Sequence, residues 1–154
     1  MIFVYASWID AINKRLSGWS STTTLYGILE DNSSTYSPNH EHLTVQQAMT
    51  AGFVEVSASG YVRGRVPSKE TDIVDNELQL LGGTLNFGII ESGKTIKGMM
   101  IAAQLGSSVN LQIDTPVLYV NGGDFPITTD GRQVFVSFTD NIFIKFICST
   151  TPAP

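Results

Sequence analysis

Beyond residue 52 the chain keeps one rhythm: short runs of β-branched, aliphatic and aromatic residues, interrupted every few positions by glycine, asparagine or aspartate. Residues 53–56 and 61–66 flank a Ser57-Ala58-Ser59-Gly60 turn. Residues 73–74 and 78–81 lead to Gly82-Gly83, and 84–90 lead into Ser92-Gly93. The 94–104 run is apolar at its centre, 109–113 alternates cleanly, 134–138 alternates in part, and Asn121-Gly122-Gly123 and Asp140-Asn141 supply further turns. The runs follow one another at short, regular spacing without long helices between them, which argues for antiparallel pairing. A mainly β chain is expected, an antiparallel two-sheet sandwich or jelly roll.

Helices are expected only in the N-terminal third. Ser7 to Asp10 has the spacing of a capping box, and Trp8, Ile12 and Leu16 fall on one stripe that Gly18 closes. Thr44 to Gln47 is a second capping box, opening about two turns that carry Ala48 and Met49 and stop at Gly52. Between them, residues 23–29 read as a strand, followed by a polar loop over 31–42 that contains Pro38. The expected organisation is an arm and short helix over 1–22, a β domain over 23–148 and a Thr/Pro tail over 149–154, disordered or draped on a neighbour.

Composition narrows the function classes. The chain has 154 residues, enough for one core without disulfide or metal staples. Charged residues make up only 15% and the formal net charge is −5, which argues against a direct nucleic-acid partner, since phosphate backbones are gripped by clustered Lys and Arg. Cys148 is the single cysteine and reads as a buried thiol. Residues 1–9 are apolar but lack a basic leader, and Asp10 cuts them short of a signal peptide or membrane span, so a soluble chain with no membrane partner is expected.

Reactive constellations are hard to find. His40 and His42, with Glu41 and Asp31, could begin a zinc site but lack a third and fourth ligand at recognisable spacing. Asp72, Asp75, Asn76 and Glu77 form an acidic cluster without the calcium-loop pattern. Neither a Gly-x-Ser-x-Gly elbow nor a Gly-Lys-Ser/Thr phosphate loop occurs. No catalytic residue, metal or cofactor is therefore expected. The aromatics Tyr61, Phe87, Tyr119, Phe125, Phe135, Phe138, Phe143 and Phe146 sit mainly at alternating strand positions and read as core rather than as a carbohydrate platform.

Two features read as contact surfaces. Ile2, Phe3 and Tyr5 belong to an apolar arm able to dock elsewhere. Arg63 and Arg65 leave one strand face in an acidic chain, with Lys69 nearby and Lys94 and Lys97 further off. They suit an acidic partner surface or a sister subunit, and equally an edge strand that charge protects from open-ended pairing.

Four segments in order, "WIDAINKRLSGW", "LYGILEDNSSTYSPNHEH", "FVEVSASGYVRGRV" and "GGDFPITTDGRQVFVSF", resemble a family of small virion proteins of tailed bacteriophages encoded among the head and tail structural genes. The similarity runs from about Trp8 to Phe146, and the chain departs from the pattern over 104–114 and in its Thr/Pro tail. The resemblance implies a non-enzymatic virion protein, assembled in the host cytoplasm. Its place would be the capsid exterior, as a cement protein bound to the major capsid protein shell, or else the tail or neck. A homo-oligomer is expected, a trimer before a dimer because shells offer many local threefold positions. The competing class is a carbohydrate- or receptor-binding module built on the same sandwich.

Overall fold

The computed structural model describes residues 1–5, 23–75 and 77–147, and for 146 and 147 the backbone. The helix expected from Ser7, Cys148 and the Thr/Pro tail lie outside the described residues. The fold is mainly β, with every described strand pair antiparallel. Strands β1 (Ile2–Val4) and β2 (Leu25–Asp31) precede helix α1 (Val45–Thr50). Then follow β3 (Gly64–Arg65), β4 (Glu70–Val74), β5 (Glu77–Leu81), β6 (Leu85–Ile89), β7 (Thr95–Ala103), β8 (Thr115–Val120), β9 (Ile127–Thr128), β10 (Gln133–Val136) and β11 (Ile142–Ile147). The largest sheet has the order β1-β8-β7-β2-β3, with β9 beside one end of β7. Two small sheets, β10-β6 and β11-β5-β4, complete the set.

The central strands are buried on both faces, so β2, β7 and β8 read as nearly unbroken apolar runs. Side-chain alternation divides them between two cores. On one face Leu25, Leu29, Met99 and Ile101 meet Leu85 and Phe87 of β6, Leu80 of β5, and Phe143 and Ile144 of β11. On the other, Tyr26, Ile28, Met100, Ala102 and Tyr119 meet Tyr5, Tyr36, Phe53, and Val45 and Ala48 of α1. A helix of six residues has little stability of its own. Here the capping box forms: Gln47 N–H donates to Thr44 Oγ1 at 3.2 Å, and Gln47 Oε1 accepts from Thr44 N–H at 3.1 Å. The next free donors, Val45 N–H and Gln46 N–H, are taken by the carbonyls of Asp114 and Leu111 at 2.9 and 2.8 Å.

Two local expectations are corrected. Residues 53–66 do not close a hairpin on themselves. Both flanks line up along the same edge of β2 instead: Asp31 N–H donates to Val54 O, Val56 N–H to Leu29 O, and Val66 N–H to Leu25 O, with Tyr26 opposite Arg65. The residues between leave that edge and cross to β6, where Glu91 N–H donates to Ser59 O and Val62 N–H to Phe87 O, both at 3.0 Å. Gly60 and Gly88 permit this approach. Both have positive φ (81° and 84°), and a Cβ on Gly60 would lie 1.8 Å from Ile89 O. The second correction is 109–113, which alternates but forms turns rather than a strand. The buried Asp114 carboxylate accepts from Asn110 N–H at 2.9 Å and Leu105 N–H at 3.1 Å, drawing the loop ends together. Val109 and Ile113 are left exposed.

No helix among the described residues is long and apolar enough to cross a membrane.

Candidate docking groove at the edge of the central sheet

The basic face is largely committed inside the molecule. Arg63 forms a bidentate pair with Glu55, Nε to Oε1 at 2.8 Å and Nη2 to Oε2 at 2.6 Å. Tyr61 O–H donates to the same Glu55 Oε1 at 2.9 Å and its oxygen accepts Leu29 N–H at 3.1 Å, supplying the acceptor that the departing strand withholds from β2. The hydrogen bonds it donates to Glu55 hold the Arg63 guanidinium even more firmly protonated than usual, while burial pushes the Tyr61 phenol up. Arg63 therefore staples the 57–62 excursion. Lys94 pairs with Glu91 at 3.3 Å, and Lys97 Nζ donates to Ser34 O at 2.8 Å. Arg65 remains exposed; Lys69, near enough for Arg65 to lower its pKa after burial has done so, completes a small basic pair.

Tyr5 is not a free contact residue. It is fully buried, its hydroxyl hydrogen-bonded to that of Tyr36, whose oxygen also lies 2.9 Å from His42 Nδ1. The other histidine stacks elsewhere, the His40 ring 4.6 Å from that of Phe3. Asp31 accepts from Ser33 N–H and Oγ, which holds its carboxyl below the ordinary value. Among the described residues no three His, Cys, Asp or Glu side chains converge as metal ligands. In the acidic cluster Glu77 pairs with Lys145 at 2.6 Å, Asp72 accepts from Ile73 N–H, and Asn76 lies outside the described residues.

Two buried carboxylates carry no expectation from the sequence. Glu30 accepts from Ser34 Oγ on one oxygen and from Tyr119 O–H at 2.7 Å on the other; Asp114 accepts from Tyr26 O–H at 2.7 Å as well as from its loop amides. Both are fully buried. Their bonds tie the central sheet to the 32–44 and 104–114 loops, a structural use.

Among the described residues, a surface shaped for a partner lies at the opposite edge from β3. Met1 O accepts Asn121 N–H and Tyr5 N–H donates to Val117 O, both at 3.1 Å, and Phe3 stands opposite Tyr119. By antiparallel alternation the peptide groups of Ile2 and Val4 point away from β8. Among the described residues no strand pairs that side. Beside it runs an open groove of about 580 Å³, lined on its apolar side by Ile2, Phe125, Phe135 and Phe138 and also by Gly122, Gly123 and Asp124. Ile2 is 61% and Phe135 55% exposed. Phe87, Tyr119 and Phe143 take the core places expected of the aromatics, but Phe135 is turned outward as a groove wall.

No protein-family model, curated protein or solved structure matches the chain. Function therefore rests on the residues and geometry themselves. An apolar groove flanked by an open strand edge can bind an extended polypeptide by main-chain pairing and side-chain burial.

Proposed function

We propose that the chain is a non-enzymatic structural protein of a tailed-phage virion, a cement protein that binds the outer surface of the major capsid protein shell as a homo-oligomer. One structural observation carries the adhesive part of this reading: the open β1 edge and the exposed Ile2 and Phe135 share one aromatic-lined groove. The ordered resemblance of four segments to small phage virion proteins carries the rest. A shell protein meets many equivalent shallow sites, so a stiff scaffold with exposed edges serves it better than a reactive cleft, and multiple weak contacts add through effective concentration.

Purified particles test this directly. A shell lattice requires copies in the hundreds and density on the outer capsid surface, against the few of a neck or tail ring. Absence of the chain from purified particles refutes the virion reading, and a low copy number moves it to the tail or neck. A receptor-binding module is favoured by one observation, that Phe125 in the 121–130 loop lines the groove. Binding of the isolated chain to a glycan array, blocked by Phe125→Ser, would establish it.

A further inference from the structure

Strand β4 presents another open edge. It ends the β11-β5-β4 sheet, pairs only with β5 among the described strands, and has all five residues exposed. Val74 stands opposite Glu77 across the two-residue connection 75–76, where Asp75 has a positive φ of 52°. The pair flanking so short a connection is hydrogen-bonded, so by alternation Val74, Asp72 and Glu70 bond to β5 while Thr71 and Ile73 turn their peptide groups outward. The Ile73 N–H donates to the Asp72 carboxylate at 2.8 Å instead of to a strand.

The side chains of β4 sort by face. Glu70, Asp72 and Val74 share one face with Gln79 and Glu77, and Thr71 and Ile73 share the other with Leu80 and Leu78. Lys145 is the only cation in the three strands, and it is committed to Glu77 at 2.6 Å. Among the described residues Glu70 and Asp72 form no ion pair. On the opposite face Leu80 is buried and Leu78 packs against the core, and the apolar row they begin runs out uncovered to Ile73. Charge guards edge strands against open-ended pairing, which accounts for the acids. A guarded edge gains nothing, however, from an apolar β-branched side chain held 76% exposed, with Val74 beside it.

The acids also argue against a second β4 as the partner. An added antiparallel strand sets outward residues opposite outward residues, and each register that engages Thr71 then places acid against acid. Glu70 faces Asp72 when Thr71 meets Thr71, and Asp72 faces Asp72 when Thr71 meets Ile73. We infer that the β4 edge adds an extended segment of a different protein, one in which cationic residues alternate with β-branched ones. Its cations lie beside Glu70 and Asp72, its β-branched residues beside Thr71 and Ile73, and a carbonyl of the segment takes the Ile73 N–H that Asp72 releases. Main-chain bonds hold such a segment, and the alternation of its side chains selects it. The inference concerns this edge alone and stands apart from where the chain is used.

Two capped peptides, Lys-Val-Lys-Val-Lys-Val-Lys and its counterpart with glutamate in place of lysine, test it on the full chain. The cationic peptide should shift the amide resonances of Thr71 and Ile73, slow their hydrogen exchange, and bind about tenfold more tightly than the anionic one at low salt. Changing Glu70→Lys and Asp72→Lys together, at exposed positions, should leave the circular dichroism spectrum unchanged and reverse that preference. Ile73→Pro removes an outward N–H, a change that edge strands tolerate, and should abolish binding with every charge still in place. The charge reversal decides alone if Ile73→Pro disturbs the fold. Resonances of Thr71 and Ile73 that do not move, equal binding of the two peptides, or a preference that the lysine variant does not reverse overturns the inference. So does binding that survives Ile73→Pro, which would be charge attraction without strand addition. Thr71 and Ile73 amides already protected in the free chain overturn it too, since a segment such as 6–22 or a second copy would then cover the edge.

Discussion

Alkaline titration probes the polar half of the core more directly than any single substitution. The chain has five tyrosines, and all of them have raised phenol pKa values. Burial is the first cause each time. Hydrogen bonds to Asp114 and Glu30 add to it for Tyr26 and Tyr119, and the bond to Tyr36 adds to it for Tyr5. Tyr36 is pushed up to about 12, and the other four lie higher. In the unfolded chain a phenol titrates near 10. The folded state therefore holds protons that the unfolded state releases, so the stability is fully present below about pH 10 and is lost as pH rises toward the folded values. Each phenol contributes about 1.4 kcal/mol per pH unit, so five remove about 7 kcal/mol by about pH 11. That equals the whole stability of many domains, about 5–15 kcal/mol. Tyrosinate absorbance and far-ultraviolet circular dichroism, followed together from about pH 9 to about pH 12, should stay flat past 10 and then change in one coincident step. Reversible, one-by-one appearance of tyrosinate near pH 10, with the β signal retained, would refute the buried-phenol arrangement.

Other substitutions separate the internal from the external roles. Arg63→Ala removes the bidentate partner of Glu55 and should cost about 1–2 kcal/mol, a fall in Tm of about 2–8 °C, whereas Arg65→Ser should stay within about 0.5 kcal/mol; equal effects on thermal melting would contradict the assignment of Arg63 to the loop staple. Gly60→Ala forces a Cβ against Ile89 O at a positive φ and should cost on the order of 3 kcal/mol or more, read by chemical denaturation. Tyr119→Phe leaves one oxygen of buried Glu30 without its O–H donor and should cost about 2 kcal/mol, while Phe135→Ser should leave the denaturation midpoint nearly unchanged.

What the sequence makes legible is what short-range chemistry decides. The capping box at Thr44 forms because all its partners lie within four residues, and the Asp140-Asn141 turn forms because these residues accept the left-handed backbone found there. Pairing across the sheet is a different matter. Residues 53–56 and 61–66 have hairpin chemistry, but the edge of β2 offers each flank a better ladder, and only the folded arrangement reveals that competition. Likewise 109–113 has strand periodicity while its carboxylate neighbour makes it a turn. Glu30 is the hardest case. An acid at the end of "LYGILE" reads as the solvent end of a strand, and nothing local shows that Tyr119, 89 positions away, will donate to it.

The same competition bears on adhesion. In sequence, Arg63 and Arg65 are the most conspicuous contact residues of an acidic chain, yet the more buried of the two is used to close a loop and cannot also pair with a partner without giving up Glu55. Among the described residues, Ile2 and Phe135 are instead exposed apolar side chains that share one groove. Contacts of that kind draw on burial rather than on charge, so salt screens them little, whereas any grip through Arg65 and Lys69 weakens as the Debye length shortens. In a chain with net charge −5, apolar docking at the β1 edge needs no added cations to offset repulsion from a like-charged surface.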